Sequence, residues 1–463
     1  MTAHTTIQEQ APLMLSVSGM RGLVGKSIHP VVVARYASAF GSWLRESIGK
    51  NAPHVVIGRD SRPSGLMFEC AAVSGLIASG CRVTRVGILS TPGVAIMIGH
   101  HQADGGMVIT ASHNPIIWNG VKALRHDGVA PPPEQARQII QRFHEDRISY
   151  VPVEDLQSCD DDTTGVQVHV DRILPHIDVE AIRSANLTAV VDSVCGAGGR
   201  EARALLDALG VEVVHMYPEP TGLFPHTPEP TRENLTELCE KVTQVDAAIG
   251  FAQDPDADRL AIVDETGCYI GEEYTLALSV LHLLKAGETA VANLSTSRMI
   301  DDIAGSVGAT VRRTPVGEAN VAACMAECRA SIGGEGNGGV IWPKVSGVRD
   351  SLAGMAILLE MLAKQARPLS ALVKQIPAYA IVKEKVDASS DLIAKIKPLL
   401  TEAFKDQHVD TQDGVRIDWP DRWVHARPSN TEPIIRIIAE AVDEQAAKGL
   451  IQQVRQVLGL DAK

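Results

Sequence analysis

Three stretches of the chain repeat one pattern, and this repeat limits the possible folds more than any other feature. Each stretch has a β-branched apolar run, a polar loop, a helical segment that ends at a glycine, and a second apolar run. The closing glycines are Gly80, Gly210 and Gly308. A glycine just past a helix readily takes the left-handed conformation that ends it. The repeats therefore predict an α/β fold of three related domains, each with a mixed sheet covered by helices.

Changes in composition suggest where these domains end. Residues 151–165, VPVEDLQSCDDDTTG, are acidic and rich in turn formers, as expected of a linker. Near residue 376 the pattern changes to that of a smaller α+β domain. Because 463 residues are too many for one core, we expect four domains. Their predicted ranges are 1–155, 156–260, 261–376 and 377–463.

Charge and composition exclude several classes of protein. A net charge of −13 and 4% aromatic residues argue against a nucleic-acid binder. No apolar run reaches the length of a membrane span, and the first residues do not resemble a secretion signal. Eight sparse cysteines suit a reducing compartment. We therefore expect a cytoplasmic protein whose ligand is a small molecule, since a few local cations suffice to bind a small anion.

The sharpest polar cluster in the sequence is DPDADR, residues 254–259. Asp254, Asp256 and Asp258 alternate with a proline and an alanine. The proline disfavours helix before it, so the segment should be extended or looped. In an extended segment alternate side chains point the same way, so the three carboxylates should converge. They would repel one another without a divalent cation, and an all-oxygen ligand set suits Mg²⁺. The alternative, a solvated acidic turn, is disfavoured by the apolar flanks. The cluster therefore predicts a magnesium site.

A calcium loop of the EF-hand type is the rival interpretation of the same cluster. The aspartate spacing, with Glu265 at the twelfth position, comes close to that motif. Its sixth position needs glycine for a sharp turn, but here it is Arg259, and the flanks look like strands. We therefore reject the calcium loop. Arg259 beside a magnesium ion would instead suit a phosphoryl group, whose charge both can share.

Two further loops carry groups suited to a phosphorylated sugar. The stretch GGEGNGGVIWP, residues 333–343, holds Glu335 and Asn337 among five glycines, and these side chains match paired sugar hydroxyls, although a flexible turn has the same composition. The stretch HARPSNTEP, residues 425–433, combines a guanidinium, hydroxyls and loop N–H groups into an anion nest, although the hydroxyls could merely cap backbone. The candidates in this nest are Arg427, Ser429, Asn430 and Thr431.

One glycine-rich stretch comes close to a nucleotide-binding motif and fails. LMLSVSGMRGLVGKS resembles a P-loop, but Met20 stands where a glycine is required and Pro30 interrupts the helix that should follow. The sequence therefore predicts no nucleoside-triphosphate site. Arg21, which stands near two glycines, is either a cleft residue or a plain turn arginine.

Taken together, these loops resemble those of the α-D-phosphohexomutase family, over nearly the whole chain. TASHNP is similar to the family's phosphoserine loop, DPDADR to its magnesium loop, GEGNGG to its sugar-recognition loop and RPSNTEP to its phosphate-binding loop; SGMRG and GRDSRPS also fit. The family fold has three related α/β domains and a smaller fourth domain around a central cleft. The repeat described above agrees with that fold.

The resemblance implies roles for the residues around the reacting phosphate. Ser112, by itself an ordinary turn serine, would be a phosphoserine whose phosphate oxygen completes the Mg²⁺ shell of the three aspartates. Lys122 would be a proton handler or a charge partner at the reacting hydroxyl. Arg21 and Arg259 would be further catalytic residues.

The resemblance also implies roles in substrate binding. Glu335 and Asn337 would hold sugar hydroxyls. The residues that grip the phosphate not undergoing transfer would be Arg427, Ser429, Asn430 and Thr431. Three positions, Arg62, Arg349 and Asp350, are further candidates for the site, with no role assigned from sequence.

The implied activity is that of an isomerase with two phosphoryl transfers. Phospho-Ser112 would convert a hexose monophosphate into a 1,6-bisphosphate, which turns around and returns its other phosphoryl group to the serine. Hexose 1,6-bisphosphate would act as an activator, and the protein would be a monomer or a homodimer. A magnesium-dependent sugar phosphatase and a non-catalytic sugar-phosphate binder are the alternatives.

The identity of the sugar depends on a few positions. Many relatives have serine where this chain has Asn337 and histidine where it has Val340, and some glucose and mannose enzymes have histidine at Glu318. The stretches GGEGNGGVIWP, DPDADRLA and GEEYTLAL are most similar to the archaeal-type branch usually assigned to phosphoglucosamine mutases. We expect glucosamine phosphate as substrate, with mannose or glucose phosphate as the close alternatives.

Overall fold

The computed structural model describes residues 12–428 and 434–460. The chain forms two compact units, the first made of Met1–His282 and Asn337–Ala371, the second of Leu283–Gly336 and Leu372–Lys463. Within the described ranges, no helix is both long and apolar enough to cross a membrane.

The first sheet of the first unit has seven strands in the order β1-β2-β6-β5-β3-β4-β7. Its strands are β1 (Met14–Ser16), β2 (Gly19–Leu23), β3 (His54–Arg59), β4 (Arg82–Ile88), β5 (Gly105–Ile109), β6 (Trp118–Arg125) and β7 (Cys159–Asp161). The helices between them are α1 (Pro30–Ile48), α2 (Gly65–Ala78), α3 (Thr91–His100) and α4 (Pro133–His144). The pairs of β3 with β4 and with β5 are parallel, whereas β5–β6 and β2–β6 are antiparallel, so the sheet is mixed.

The middle strands of this sheet are buried on both faces, which explains their continuous apolar sequence. Val55 and Ile57 of β3 belong to the cluster that also holds residues of α1 and α2. Val56, which points the opposite way, packs with Val94 and Ile98 of α3. The sheet therefore has helices on both faces, and its loops are left at the strand ends.

A second sheet in the first unit has the order β11-β10-β8-β9. Its strands are β8 (Thr188–Asp192), β9 (Glu212–Met216), β10 (Ile249–Gln253) and β11 (Leu260–Asp264), and the helices in this part of the chain are α5 (Gly165–Ile173), α6 (Val179–Ser184), α7 (Gly199–Leu209) and α8 (Thr236–Gln244). Strand β8 pairs in parallel with β9 and β10, while β10 and β11 form an antiparallel pair joined by the aspartate cluster.

After α9 (Glu272–Leu283), the chain enters the second unit with three parallel strands in the order β13-β12-β14. These strands are β12 (Thr289–Asn293), β13 (Thr310–Thr314) and β14 (Ile332–Glu335), and the helices among them are α10 (Met299–Val307) and α11 (Glu318–Cys328). The next elements along the chain are β15 (Gly339–Ile341), α12 (Ser351–Gln365) and α13 (Leu369–Val373).

The C-terminal part of the second unit is an antiparallel sheet in the order β16-β20-β19-β18-β17. Its elements are β16 (Ala380–Asp387), α14 (Ser390–Ala403), β17 (His408–Asp410), β18 (Val415–Asp418), β19 (Trp423–Pro428), β20 (Ile434–Ala441) and α15 (Glu444–Val457). The core of this part includes Val424, Ile435 and Ile437 from the strands and Leu400 and Ile451 from the helices.

The predicted fold class is confirmed, including the three repeats. The units β3–α2–β4, β8–α7–β9 and β12–α10–β13 each join two parallel strands through a helix. Gly80, Gly210 and Gly308 follow the three helices with φ of 85°, 71° and 72°, the left-handed conformation that their positions predicted. The stretch 151–165 is more than a linker, because its strand β7 pairs with β4 and extends the first sheet.

Candidate active site

The aspartate cluster lies in the tight turn between β10 and β11 and is completely buried. The side chain of Asp254 shapes this turn, because its Oδ1 accepts hydrogen bonds of 3.1 Å from the backbone N–H groups of both Asp258 and Arg259. Ala257 has a φ of 54°, in the left-handed region. Of the two predicted conformations, extended or looped, the segment therefore takes the looped one. The carboxylates converge because the chain turns, not because alternate residues of a strand share a face.

The three carboxylates have the properties expected of a divalent-cation site. One oxygen from each of Asp254, Asp256 and Asp258 lies within 4.8 Å of the other two. In the described part of the chain, no hydrogen-bond partner approaches the buried Oδ1 atoms of Asp256 and Asp258. Burial, with the neighbouring carboxylates, raises the pKa of Asp254 well above its usual value. A divalent cation such as Mg²⁺ would relieve the repulsion between the three carboxylates and accept the unbonded Oδ1 atoms as ligands. The residues therefore fit Mg²⁺.

The opposite oxygens of the same carboxylates face cations of the protein. Lys122 Nζ lies 2.7 Å from Asp256 Oδ2 and 3.1 Å from Asp258 Oδ2. A guanidinium nitrogen of Arg349 lies 2.7 Å from Asp258 Oδ2, and Thr91 Oγ1 donates a 2.7 Å hydrogen bond to Asp256 Oδ2. Burial acts to raise the pKa of Asp256, but the Lys122 ammonium outweighs it and holds that pKa well below its usual range.

Ser112 lies against the aspartate turn. It follows β5 with a φ of 49°, which places a non-glycine residue in the left-handed region, and only 3% of its surface is exposed. Its Oγ donates a 2.8 Å hydrogen bond to Asp254 Oδ2 and lies 3.3 Å from Nδ1 of His113. The predicted catalytic serine, lysine and aspartates therefore meet in one group, although 142 residues separate Ser112 from Asp254.

The serine loop is held from its backbone side by Arg62, whose role was not predicted. The buried guanidinium donates to the carbonyl oxygens of Ser112 at 2.5 Å, Asn114 at 2.6 Å and Pro115 at 2.8 Å. Asp60 pairs with the same guanidinium at 3.0 Å. A planar group with five donors suits such a set of acceptors, which lysine could not match.

Arg21 and Arg259 bring positive charge to the same loop. Arg21, on β2, donates a 2.9 Å hydrogen bond to the side-chain oxygen of Asn114. Arg259 Nε lies 3.8 Å from Asp258 Oδ1. Burial, followed by the charges of Arg259 and Arg21, lowers the pKa of His113 to about 2. The imidazole beside Ser112 is therefore neutral.

A glycine-rich turn, Cys195–Gly199, supports the aspartate turn and was not recognised as part of the site. Ala197 N–H donates a 2.8 Å hydrogen bond to the carbonyl oxygen of Pro255. A Cβ atom on Gly196 would lie 2.8 Å from that oxygen, and one on Gly198 would lie 2.6 Å from the Ala257 Cβ. Only glycine allows this approach of the two turns.

The second unit holds the acidic residue of the predicted sugar loop. Glu335 ends β14, and its Oε1 accepts hydrogen bonds from Asn293 Nδ2 at 2.8 Å and from the Gly317 N–H at 3.1 Å. Glu318 is the first residue of α11, directly after Gly317. Asn337 belongs to the first unit, in the segment that leads into β15.

Part of the predicted phosphate nest is also in the second unit. Arg427 Nε, near the end of β19, lies 3.2 Å from Asp413 Oδ2. Arg436 on β20 is its direct cross-strand partner, so two arginines stand side by side. Arg436 was not among the predicted residues. The other predicted members of the nest, Ser429, Asn430 and Thr431, lie outside the described residues.

Models of one protein family match the chain from end to end. Phosphoglucomutase/phosphomannomutase α/β/α domains I, II and III match residues 13–148, 167–267 and 272–379, and the C-terminal domain of the same family matches residues 378–457. These four ranges cover most of the chain.

Individual proteins with similar sequences and structures point the same way. A phosphoglucomutase/phosphomannomutase of Thermococcus kodakarensis is 38% identical over 443 residues, covering 94% of this chain and 96% of that protein. A "Probable phosphoglucosamine mutase" of Methanopyrus kandleri is 38% identical over 441 residues, covering 94% and 95%. The crystal structure of a phosphoglucomutase/phosphomannomutase family protein from Burkholderia thailandensis has a TM-score of 0.84 at 29% identity and covers 97% of this chain and 99% of its own.

Proposed function

Because the chain belongs to the phosphoglucomutase/phosphomannomutase family, and is thus a phosphohexomutase and an isomerase, we propose that it interconverts glucosamine 6-phosphate and glucosamine 1-phosphate. The reaction passes through a phosphoserine at Ser112 and a 1,6-bisphosphate. The observation that carries this proposal is the buried contact of 2.8 Å between Ser112 Oγ and Asp254, at the edge of three converging carboxylates.

In the first transfer, the bond between phosphorus and Ser112 Oγ breaks as a bond forms to the free hydroxyl oxygen of the sugar. The proton of that hydroxyl passes to the leaving Ser112 Oγ, which becomes a serine hydroxyl again. The second transfer is the reverse, from the other end of the bisphosphate to the serine. Asp254, Asp256 and Asp258 would hold Mg²⁺, which when bound neutralises charge on the transferring phosphoryl group. The protein's contribution is largely the positioning of these groups.

The surroundings of Lys122 favour one of its two predicted roles. Its ammonium lies against the carboxylates of Asp256 and Asp258. An ammonium in this arrangement has no free electron pair with which to accept a proton, so Lys122 acts as a charge partner. Arg21 and Arg259 contribute charge from the other elements of the same site.

Further residues are assigned to substrate binding. Glu335 and Asn337 bind sugar hydroxyls, and Arg427 with Ser429, Asn430 and Thr431 binds the phosphate that is not undergoing transfer. Glucosamine phosphate is favoured by the similarity to the Methanopyrus protein. The amide of Asn337 can accept a hydrogen bond from an amine or from a hydroxyl, so this residue does not distinguish the sugars. The similarity to the Thermococcus protein makes mannose and glucose phosphates the second candidates.

Phosphorus NMR tests the proposal directly. The protein is incubated with Mg²⁺, a trace of hexose 1,6-bisphosphate as activator and, separately, the 6-phosphates of glucosamine, mannose and glucose. We expect a 1-phosphate resonance that grows fastest with glucosamine 6-phosphate. A faster reaction with another sugar corrects the substrate, and release of inorganic phosphate alone would identify a phosphatase.

Two variants sharpen this test. S112A should lose mutase turnover, since it has no oxygen to phosphorylate, while S74A, which replaces an exposed serine on α2, should retain it. If S112A binds the sugar phosphate and still turns over at the rate of the parent protein, the assignment of the phosphoserine is wrong. Binding without turnover in the parent protein would indicate a sugar-phosphate binder.

A further inference from the structure

A fully buried histidine lies outside the site described above, with an acidic side chain on each ring nitrogen. His169, on α5, has Nδ1 2.7 Å from Glu201 Oε1 and Nε2 2.9 Å from Asp350 Oδ2, and none of its surface is exposed. An imidazole can donate from both nitrogens only when it is doubly protonated. The two carboxylates therefore face an imidazolium, which satisfies both of them.

His169 thus bridges Glu201 and Asp350. Glu201 is connected by hydrogen bonds, through two consecutive residues, to one aspartate of the cluster. Glu201 accepts hydrogen bonds from the N–H and the Oγ of Ser90, the residue that caps α3, at 2.8 and 2.7 Å. The next residue, Thr91, binds Asp256 twice, through its N–H at 2.9 Å to the carbonyl oxygen and through Oγ1 at 2.7 Å to the carboxylate.

The Asp350 side leads to a second aspartate. Asp350 caps α12 by accepting hydrogen bonds from the N–H groups of Leu352 and Ala353. Arg349, which precedes Asp350, pairs with Asp258 at 2.7 Å. Ser351, which follows Asp350, donates a 3.3 Å hydrogen bond from its N–H to the carbonyl oxygen of Ala257. Residues adjacent in sequence to Asp350, and the neighbour of a residue that binds Glu201, thus contact the aspartate turn. These are Arg349 and Ser351 on one side and Thr91 on the other.

We propose that His169 is a positioning residue for the reaction, which fixes the aspartate turn by holding Glu201 and Asp350 apart at set distances. Through them it orients Thr91 against Asp256 and Arg349 against Asp258. In the described part of the chain, this leaves the Oδ1 atoms of both aspartates without a hydrogen-bond partner and available to a cation. This inference rests on the phosphohexomutase activity proposed above. The ring nitrogens of His169 bind Glu201 and Asp350, neither of which is assigned to the sugar or to the cation.

Mn²⁺ serves as the probe for the test, because it takes the same oxygen ligands as Mg²⁺ and its binding to the whole, substrate-free protein can be followed by electron paramagnetic resonance. In H169Q the amide donates to one carboxylate, and the other stays buried without the donor and the positive charge that His169 supplied. We expect the Kd for Mn²⁺ to rise and kcat to fall, each by about 10- to 100-fold, as for other residues that support metal ligands indirectly. The KM for the sugar phosphate should stay within about threefold, since the sugar contacts are unchanged.

Two further variants separate positioning from general stabilisation. His282 pairs with Glu360 at 2.7 Å, elsewhere in the first unit, so H282Q removes a similar histidine–carboxylate pair. It should lower Tm and leave the Kd for Mn²⁺ and kcat unchanged. The double variant H169Q/E201Q restores the charge balance around position 169 and should recover part of the lost Mn²⁺ affinity.

The outcomes are distinct. If H169Q only lowers Tm, as H282Q does, and keeps the parent Kd and kcat, His169 is structural and the inference is overturned. A double variant with no recovery would also count against it, because charge balance would then not govern the turn. If the parent protein itself neither binds Mn²⁺ nor isomerises a sugar phosphate, the proposed function fails instead.

Discussion

A guanidinium nitrogen of Arg62 donates a hydrogen bond of 2.5 Å to the carbonyl oxygen of Ser112, so the serine that carries the proposed chemistry is held through its backbone. Ser112 has a left-handed φ of 49°, a conformation that costs free energy in a residue with a side chain. Arg62 also donates hydrogen bonds to the carbonyl oxygens of Asn114 and Pro115, and these contacts offset that free-energy cost.

Replacement of Arg62 by lysine tests this support. We expect kcat/KM of R62K to fall by about 100-fold, because an ammonium cannot bind several carbonyl oxygens in one plane and the displaced serine loses its alignment. Steady-state kinetics and thermal unfolding measure the effect. The control is R82K, at an exposed arginine 3.6 Å from Asp160, which should behave like the parent protein. Equal activity of R62K and R82K would contradict the role given to Arg62.

Loss of the Lys122 charge should separate metal binding from catalysis. In K122M we expect turnover to fall by about 100-fold or more, because a positive charge near the transferring phosphoryl group is gone. Mn²⁺ should bind no more weakly than to the parent protein, since Asp256 and Asp258 lose a competing cation. The control K50M removes a lysine that is half exposed and paired with Asp104. A loss of Mn²⁺ affinity parallel to the loss of turnover would show that Lys122 builds the metal site rather than acting on the phosphate.

The charge of Glu335 is expected to matter for sugar binding alone. E335Q keeps the oxygen that accepts from Asn293 and Gly317 but loses the negative charge that polarises a sugar hydroxyl. We expect kcat/KM to fall by about 10- to 100-fold with unchanged Mn²⁺ affinity. E327Q, at an exposed position of α11, is the matched variant with full activity. An unaltered kcat/KM in E335Q would remove Glu335 from the list of sugar ligands.

The His169 bridge should make stability depend on pH in a defined direction. Burial acts to lower the pKa of His169, but Asp350 and Glu201 outweigh it and raise that pKa to about 10, against 6.5 in an ordinary environment. A raised pKa adds stability that is complete below about pH 6.5 and is lost as the pH rises through about 10. The difference in Tm between the parent protein and H169Q should therefore be large at pH 6 and smaller at pH 10. A constant difference over this range would mean that the bridge carries no net charge effect.

The sequence predicts local features of this protein well and long-range features poorly. Gly80, Gly210 and Gly308 mark the ends of three helices because the left-handed conformation is a local property of glycine. The aspartates of residues 254–258 could be recognised as a cluster for a similar reason, since they lie within five residues of sequence. Even so, the turn that joins them depends on the left-handed Ala257, which no local pattern indicated.

The roles of residues that act across the fold were not indicated by the sequence. His169 is one polar residue on an ordinary helix, and its partner Asp350 is 181 positions away. Arg62 was a candidate for the site, in the stretch GRDSRPS, but nothing in the sequence indicated its contact with the Ser112 loop. The roles of both are recognised only from the tertiary structure, because they depend on which carboxylate or carbonyl oxygen each residue meets.

The division of the chain also has a consequence for its synthesis. Residues 283–336 belong to the second unit, yet the first unit needs Asn337–Ala371 to be complete. A nascent chain that ends at residue 336 already holds Ser112, Lys122 and the three aspartates, but has neither Arg349 for Asp258 nor Asp350 for His169. During translation, the aspartate turn therefore lacks these contacts until residues 283–336, which belong to the second unit, and then Arg349 and Asp350 have left the ribosome.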